Sequence, residues 1–386
     1  MRLKDIITVS VESVAFGGDG IARVDSFVLF VPFTAPGDVA QVEIVSLKKR
    51  FGRARLISLL DPSGFRATPR CRAYGHCGGC CYQHISYDRQ LVMKKNQIRD
   101  AFVKIGGIAE PPLEDIIRSP RIYEYRGKAV LHTGKKMPAE LGFMDVSGGK
   151  IADIERCEIM DETINDQIRA FRRSPYNGPG DADIPFWSDG VDAKEECVVR
   201  RVRGREFLVP RDGFFQANLF LTDRMVEEVC RIVSQKERGT LVDACCGSGL
   251  FSIFAAPFAR RVLGVEIYEP SVKYARINAE RHGVQNVEFI CGDMADVFRA
   301  METRREAVDL MLLDPPRAGL SPEALRAIVD VKASEIIYIS CNPATQARDV
   351  RLFCEAGYDL AGLVPLDMFP QTQHIEIIGY LVGRRL

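Results

Sequence analysis

The stretch TLVDACCGSGL, Thr240–Leu250, is the one whose reading decides the fold. An apolar run ends at Asp243, passes through Cys245-Cys246-Gly247-Ser248-Gly249, and enters the helix-forming LFSIFAA. Glycines at a strand-to-helix turn let the backbone approach a ligand at the helix N-terminus. Outward from this point, apolar strands and helical segments alternate from residue 213 onward: RRVLGVEI, NVEFICGD, AVDLMLLD, EIIYIS and a terminal pair near 358–365 and 374–382. That alternation implies an α/β fold, a Rossmann-like parallel sheet covered on both faces.

The same turn restricts the ligand. The next strand ends in Glu266, 19 residues past Gly247, where an acidic side chain can accept hydrogen bonds from ribose hydroxyls. The third strand ends in Gly292-Asp293, near where an adenine amino group would lie. A dinucleotide site would want a third glycine where Ser252 stands, and Asp243 suits a cationic or amino-bearing ligand better than a diphosphate. These features favour S-adenosylmethionine (SAM) over NAD. Taken alone, they also fit a purely structural strand–turn–helix.

Two further strand ends carry chemistry. The fourth ends in Asp314-Pro315-Pro316-Arg317 and the fifth in Ser340-Cys341-Asn342-Pro343. Ligands of open α/β sheets bind at the carboxyl ends of the strands, so both motifs are expected beside a methyl donor. A cysteine there is a candidate nucleophile, with a buried core cysteine as the alternative. In Gln373-His374-Ile375-Glu376, read as the start of a late strand, alternation predicts His374 and Glu376 on one face.

Twelve cysteines are unusual for a chain of 386 residues with no apolar leader at its N-terminus and no apolar run long enough to span a membrane. A cytoplasmic, reducing setting is expected, which leaves core residues, metal ligands or reactive thiols. Cys71, Cys77, Cys80 and Cys81 crowd together, and Cys157 stands alone downstream. Four thiolates from Cys71, Cys77, Cys80 and Cys157 would suit a zinc ion or a [4Fe–4S] cluster, and spacing does not separate the two. Cys81 is a bystander or a rival to Cys80.

Lys+Arg and Asp+Glu both number 52, so a zero net charge excludes a globally basic polyanion binder. Residues 1–60 read as short strands with turns, a small β-barrel. Lys48, Lys49, Arg50, Arg53 and Arg55 form a basic stripe on it, either a solvated edge or a grip for phosphates. Arg66, Arg70 and Arg72 flank the cysteine loop and suggest a basic, phosphate-facing surface there, and Arg200, Arg201, Arg203, Arg205 and Lys135-Lys136 form further patches, each readable as a solvated face or as local phosphate contacts. A long amphipathic helix is predicted from about Tyr87 to Ile105, closed by Gly106-Gly107, and residues 115–212 read as β-rich and irregular.

DACCGSG, DPPR, SCNP and QTQHIE, in that order, with GFFQAN at residues 213–218 upstream, resemble the RNA 5-methyluridine methyltransferase family. The N-terminal 60 residues resemble its TRAM domain, an OB-like RNA-binding barrel, and the cysteine pattern resembles the cluster of its iron–sulfur, rRNA-modifying members. The resemblance spans essentially the whole chain. It implies a class I, Rossmann-like SAM methyltransferase domain over 85–114 and 213–386, a central β-rich iron–sulfur domain that binds RNA over 61–84 and 115–212, and the barrel over 1–60.

The resemblance further implies methylation of uridine at C5 through a Cys341–C6 adduct, with Glu376 removing the C5 proton. Asp314 would bind the base or orient the donor, and Gln216, Asp243, Cys245, Gly247, Gly249, Glu266 and Asp293 would line the donor pocket. It tips the Cys71, Cys77, Cys80 and Cys157 set towards [4Fe–4S], with structural zinc as the alternative. The expected partner is RNA, ribosomal RNA ahead of tRNA, bound by a monomer with no membrane association. Phe214 and Phe215 either stack on a base or sit in a core. An RNA-binding iron–sulfur protein that has lost activity is the competing reading.

Overall fold

The computed structural model describes residues 1–134, 140–173, 178, 181–188 and 196–384. Lys135-Lys136 lie outside the described residues. Strands β1 (Ile6–Val14), β2 (Gly20–Val24), β3 (Phe27–Val31), β4 (Val39–Leu47) and β5 (Phe51–Asp61) close into a barrel in the order β1-β2-β3-β5-β4. Alternation in β1 sends Val9 and Val11 inward and Thr8 and Ser10 outward, and Ala22, Leu29, Val31, Val42, Ile44 and Ala54 complete the filling. This is the barrel the sequence predicts.

Helix α1 (Tyr87–Lys104) follows, with Leu91, Ile98, Ala101 and Phe102 on its buried side. Strands β6 (Lys128–Thr133), β7 (Leu141–Met144), β8 (Ile151–Asp153) and β9 (Asp183–Trp187) form a four-stranded antiparallel sheet in the order β8-β7-β6-β9. An unforeseen helix, α2 (Glu162–Arg173), lays Ile164 and Ile168 against Leu131, Leu141 and Phe186 of this sheet. Asp161 Oδ1 accepts from the Thr163 N–H at 2.9 Å and starts it.

The hairpin β10 (Cys197–Val202) and β11 (Arg205–Pro210) corrects the expected division at residue 212. Val198, Val202, Phe207 and Val209 are buried in the same cluster as Leu241, Phe251, Val272 and Phe289 of the next domain. Period-2 alternation makes the hairpin look like more of the central β-rich unit, whereas its apolar face belongs to the core of the domain that follows. Arg200 is also corrected. It is 3% exposed, stacked 4.8 Å from the Trp187 ring and donating to Ser188 Oγ at 2.7 Å, so it is no part of a solvated face.

The last domain runs α3 (Thr222–Val233), β12 (Arg238–Ala244), α4 (Leu250–Ala255), β13 (Ala259–Glu266), α5 (Glu269–Arg281), β14 (Val287–Cys291), α6 (Met294–Thr303), β15 (Leu310–Leu313), α7 (Pro322–Val331), β16 (Glu335–Ser340), α8 (Pro343–Glu355), β17 (Tyr358–Leu366) and β18 (Glu376–Gly383). Its seven strands stand in the order β14-β13-β12-β15-β16-β18-β17, with β18 antiparallel to both neighbours and the first five parallel. β15 and β16 are buried at every position, as expected for strands covered on both faces. The switch point, where β13 and β15 flank β12, opens a crevice at the carboxyl ends of the strands. Among the described residues no helix is long and apolar enough to cross a membrane.

Candidate active site

The donor side of the crevice is built on β12 and the turn after it. Cys245 (φ 77°), Gly247 (φ 53°) and Gly249 (φ 83°) take left-handed backbone. A Cβ on Gly249 would stand 3.0 Å from the Phe289 ring, whereas one on Gly247 would meet nothing within 4 Å, so the backbone at Gly247 is open to a ligand. The Gly247 N–H donates to Glu266 Oε2 at 3.0 Å and the Tyr268 N–H to Glu266 Oε1 at 2.9 Å. Glu266 is thereby oriented at the end of β13 with lone pairs to spare for hydroxyls. Asp293 caps α6, its Oδ1 accepting from the Ala295 N–H at 2.8 Å.

Asp243 is wholly buried. Ser252 Oγ donates to its Oδ2 at 2.6 Å, while its Oδ1 has no partner among the described residues. Ser252, in the place a dinucleotide fingerprint gives to glycine, thus acts as the support of Asp243. Burial, with Glu266 adding to it and Ser252 opposing, pushes the Asp243 carboxyl up to about 7. Burial and then Asp243 push Asp314 up to about 7 as well. Gln216, 5% exposed, donates to Asp314 Oδ2 at 3.4 Å and ties the upstream GFFQAN segment to the fourth strand end. A crowded set of carboxylates with an unpartnered oxygen fits a ligand that brings positive charge, as the sulfonium and amino groups of SAM do. Burial pushes Cys245 up, and the carboxylates of Asp314 and Glu266 push it further, so it stays a neutral lining thiol.

Cys341 lies between β16 and α8, one residue before Asn342, whose side chain caps the helix by accepting from the Ala344 N–H at 3.0 Å. Burial and Glu376 push its thiol up to about 11, and the Arg317 guanidinium beside it pulls the other way. The N-terminus of α8 also favours the thiolate. Glu376 opens β18, 5% exposed. Burial and then Asp314 hold its carboxyl well above the usual range, opposed by Arg317, and its Oε2 has no partner among the described residues. Arg317 is exposed, makes no ion pair among the described residues, and acts on both the Cys341 thiol and the Glu376 carboxyl. Thus Cys341, Glu376, Asp314 and Arg317, drawn from three strand ends, are brought together.

Two expectations at the site are corrected. β18 begins at Glu376, so His374 precedes the strand and does not share its alternation. Its ring packs edge-on to Phe369 with centroids 6.0 Å apart, and burial then Arg317 keep it neutral, down to about 3. Phe214 and Phe215 divide the two roles considered for them. Phe214 is 67% exposed and free to stack, while Phe215 is buried in the core.

Cys71, Cys77, Cys80 and Cys157 line one cavity together with Tyr74, Gln83, Arg126, Phe143 and Ile154. The Cys71 N–H donates to Gln83 Oε1 at 3.0 Å, the Cys157 N–H to Asn165 Oδ1 at 2.9 Å, and the Gly79 N–H to Cys77 Sγ at 3.4 Å. Cys81 turns away from this cavity and packs towards Gly18 of the barrel. Among the described residues no three His, Cys, Asp or Glu side chains are arranged to hold a single metal ion. The flanking arginines are corrected. Arg66 binds buried Asp38 through Nε and Nη2, both at 2.9 Å, and Arg70 pairs with Glu158 at 2.8 Å, so both are structural and only Arg72 is left as a surface cation. On the barrel, Arg53 pairs with Asp19 and Arg55 with Glu43, which leaves Lys48, Lys49 and Arg50 as its exposed basic tip.

The supports of Glu376 were missed in the sequence. Lys94 and Gln90 of α1, Tyr125 and Asn218 all bind the segment that precedes it: Tyr125 OH donates to Pro370 O at 3.0 Å and Asn218 Nδ2 to Met368 O at 3.1 Å. The one available signal was Lys94 itself, a lysine on the apolar stripe between Leu91 and Ile98.

Comparison with known proteins agrees with this geometry. Residues 191–385 match the tRNA (Uracil-5-)-methyltransferase family and residues 4–57 the TRAM domain. The chain is 34% identical to the tRNA (uracil(54)-C(5))-methyltransferase of Schizosaccharomyces pombe, over 96% of this chain and 77% of that protein. It is 30% identical to an uncharacterized RNA methyltransferase of Gloeobacter violaceus, over 97% of this chain and 96% of that one. In fold it is similar to the Pyrococcus abyssi tRNA (uracil-54, C5)-methyltransferase solved with S-adenosyl-L-homocysteine, with a TM-score of 0.71, 24% identity and coverage of 97% and 100%.

Proposed function

Since the chain belongs to the tRNA (Uracil-5-)-methyltransferase family and is an RNA uracil-C5 methyltransferase dependent on SAM, we propose that it works through a covalent bond between Cys341 and uracil C6. The observation that carries this is the meeting of one thiol, one buried carboxylate held above its usual range and one guanidinium free of ion pairs among the described residues at Cys341, Glu376 and Arg317. Uracil C5 is a poor nucleophile. Addition of the Cys341 thiolate to C6 turns C5 into an enolate carbon, and Arg317 is placed to favour both the thiolate and the charge that develops on the ring. SAM would be held by Gln216, Asp243, Cys245, Gly247, Gly249, Glu266, Asp293 and Asp314 and would supply an electrophilic methyl group, which bonds to C5 as the S–CH3 pair stays on the departing S-adenosylhomocysteine. Glu376 then takes the C5 proton, the C5–H electron pair forms the C5=C6 bond, and the C6–S pair returns to Cys341. A carboxylate of raised basicity is suited to that proton.

Cys71, Cys77, Cys80 and Cys157 would hold a [4Fe–4S] cluster in the central unit, their shared cavity and backbone-bonded loop fitting such a group. Visible charge-transfer absorption with about four irons per chain after anaerobic purification supports this, and a colourless zinc-loaded protein overturns it. The exposed basic tip, the barrel and Phe214 would contact the RNA, the chain acting as a monomer.

Tritium at uracil C5 of the RNA tests the mechanism. Its release with SAM present should vanish in Cys341→Ala, whereas release at the wild-type rate would remove Cys341 from the reaction. The barrel together with the cysteine loop speaks for a ribosomal RNA target. One observation favours a tRNA uridine instead: the S. pombe relative, matched over 96% of this chain, is named for uracil 54 of tRNA. Mapping 5-methyluridine in rRNA and tRNA from a deletion strain, with the pure enzyme added back, separates the two.

A further inference from the structure

Glu376 enters the pocket at the end of a segment, Asp367–Ile375, with no regular strand or helix, and much of what fixes that segment lies on α1, outside the sheet. Lys94 in the middle of α1 is fully buried. Its ammonium donates to Asp367 Oδ1 at 2.6 Å, to Phe369 O at 3.1 Å and to His374 O at 2.8 Å. One group therefore clamps the start of the segment and a point two residues before Glu376. One turn earlier, buried Gln90 donates to Gln371 Oε1 at 3.0 Å and accepts from the Gln371 N–H at 3.1 Å. Gln371 itself takes a left-handed φ of 71°, and its carbonyl accepts from the N–H groups of Cys81 at 3.1 Å and Tyr82 at 2.9 Å.

Burying an ammonium and a carboxylate is a poor way to gain stability, because an apolar pair of similar volume commonly does as well or better. What an apolar pair cannot do is fix a carboxylate and two carbonyls to one point. We propose that Lys94, supported by Gln90, is a positioning residue for proton removal from C5, holding Glu376 against the adduct without touching the thiol. This rests on the covalent reading above. In the step concerned, the proton passes from C5 to Glu376, the C5–H pair becomes the C5=C6 bond and the C6–S pair returns to sulfur. A displaced Glu376 thus stalls release of the adduct and leaves its formation intact.

The test removes both charges together, in Lys94→Met/Asp367→Leu, so that no unpaired charge is left buried. RNA containing 5-fluorouridine, whose adduct cannot lose fluorine as a cation, reports formation; ordinary RNA reports release. The variant should trap 5-fluorouridine RNA at a rate close to wild type. On ordinary RNA it should accumulate the protein–RNA adduct while turnover falls about 100-fold, the scale of an ångström misplacement. Formation and release slowed alike, or turnover at the wild-type rate, would overturn the proposal. Failure of the wild-type protein to trap 5-fluorouridine RNA would strike the covalent reading instead. Should the double variant lack a melting transition, Gln90→Leu, which removes both bonds to Gln371 and leaves the ion pair intact, is read in the same way, and a folded Gln90→Leu that builds up no adduct overturns the proposal.

Discussion

Asp314 and Arg317 stand three residues apart at one strand end, and the site asks opposite things of them. Asp314 is pushed up to about 7 by burial and Asp243. Below about pH 4 its carboxyl is protonated in folded and unfolded chains alike and has no effect on stability. Between there and about 7 the folded chain keeps a proton that the unfolded chain has lost, so this group lowers stability as pH rises. Asp314→Asn should therefore melt at nearly the wild-type temperature at low pH and gain on the wild type as pH is raised through neutrality. Thermal melts across that range check it. Arg317 opposes the upward pressure on Cys341, whose thiol stands at about 11, so Arg317→Met should slow trapping of 5-fluorouridine RNA and carry the rise of the trapping rate to higher pH. Rates of trapping against pH decide this, and a slower rate with its pH profile unmoved would assign Arg317 to the ring alone. The residues Cys341, Asp314, Asp243 and Glu266 were legible in the sequence because each ends a strand, where the topology of an open sheet forces ligand contact. Lys94 was not, because its meaning depends on Asp367, 273 positions away, and no local pattern carries that distance.

Long elements ruled by one periodicity were read, while the short helix α2, whose buried apolar stripe is only Ile164 and Ile168, was missed and a hairpin buried by another domain was misassigned. The barrel strands alternate and α1 carries a single apolar stripe, so both follow from sequence. The β10–β11 hairpin alternates just as well, but its period does not say which core it faces. Phe207 settles that by packing near Phe215 and Phe254, with centroids 6.4 and 5.8 Å away. Phe207→Ala should cost about 3–5 kcal/mol in urea unfolding, as for other buried phenylalanines. Methyl transfer should be lost at a lower temperature than in the wild type. An unchanged urea midpoint would mean that the hairpin is an ornament of the catalytic core and no part of it. The start of β18 was misplaced by two residues for a related reason: the Lys94 ammonium takes the His374 carbonyl, which a longer strand would have used in its ladder.

Over the whole molecule, the cysteine loop is the piece that touches everything. Through Arg66 and Asp38 it holds the barrel; through Cys81, Tyr82 and Gln371 it holds the segment before Glu376. Asp38, with no exposed side-chain surface, also accepts from the Ala35 N–H at 2.6 Å and the Ser63 N–H at 2.9 Å, and together with Arg66 these donors hold its carboxyl below the usual range against burial. That contribution is present above the unfolded value near 4 and is lost as pH falls through the lower folded one. Arg66→Met should destabilise by on the order of 3 kcal/mol, as removal of one partner leaves a buried charge. Limited proteolysis should then cut between barrel and cysteine loop, and an unchanged cleavage pattern would show that other contacts suffice. The placement of β18 between β16 and β17, with Asp367 and Glu376 just ahead of it, also has a temporal side. During synthesis α1 leaves the ribosome roughly 15–50 s before the residues that complete its buried face, given their 273-position separation. Until then Lys94 keeps its hydration, and the helix has no complete surface to dock on. The protein therefore acquires the proton acceptor proposed for it and the seat of its first helix in the same late event, and on that reading a nascent chain stopped short of Asp367 would carry Cys341 without the means to let its substrate go.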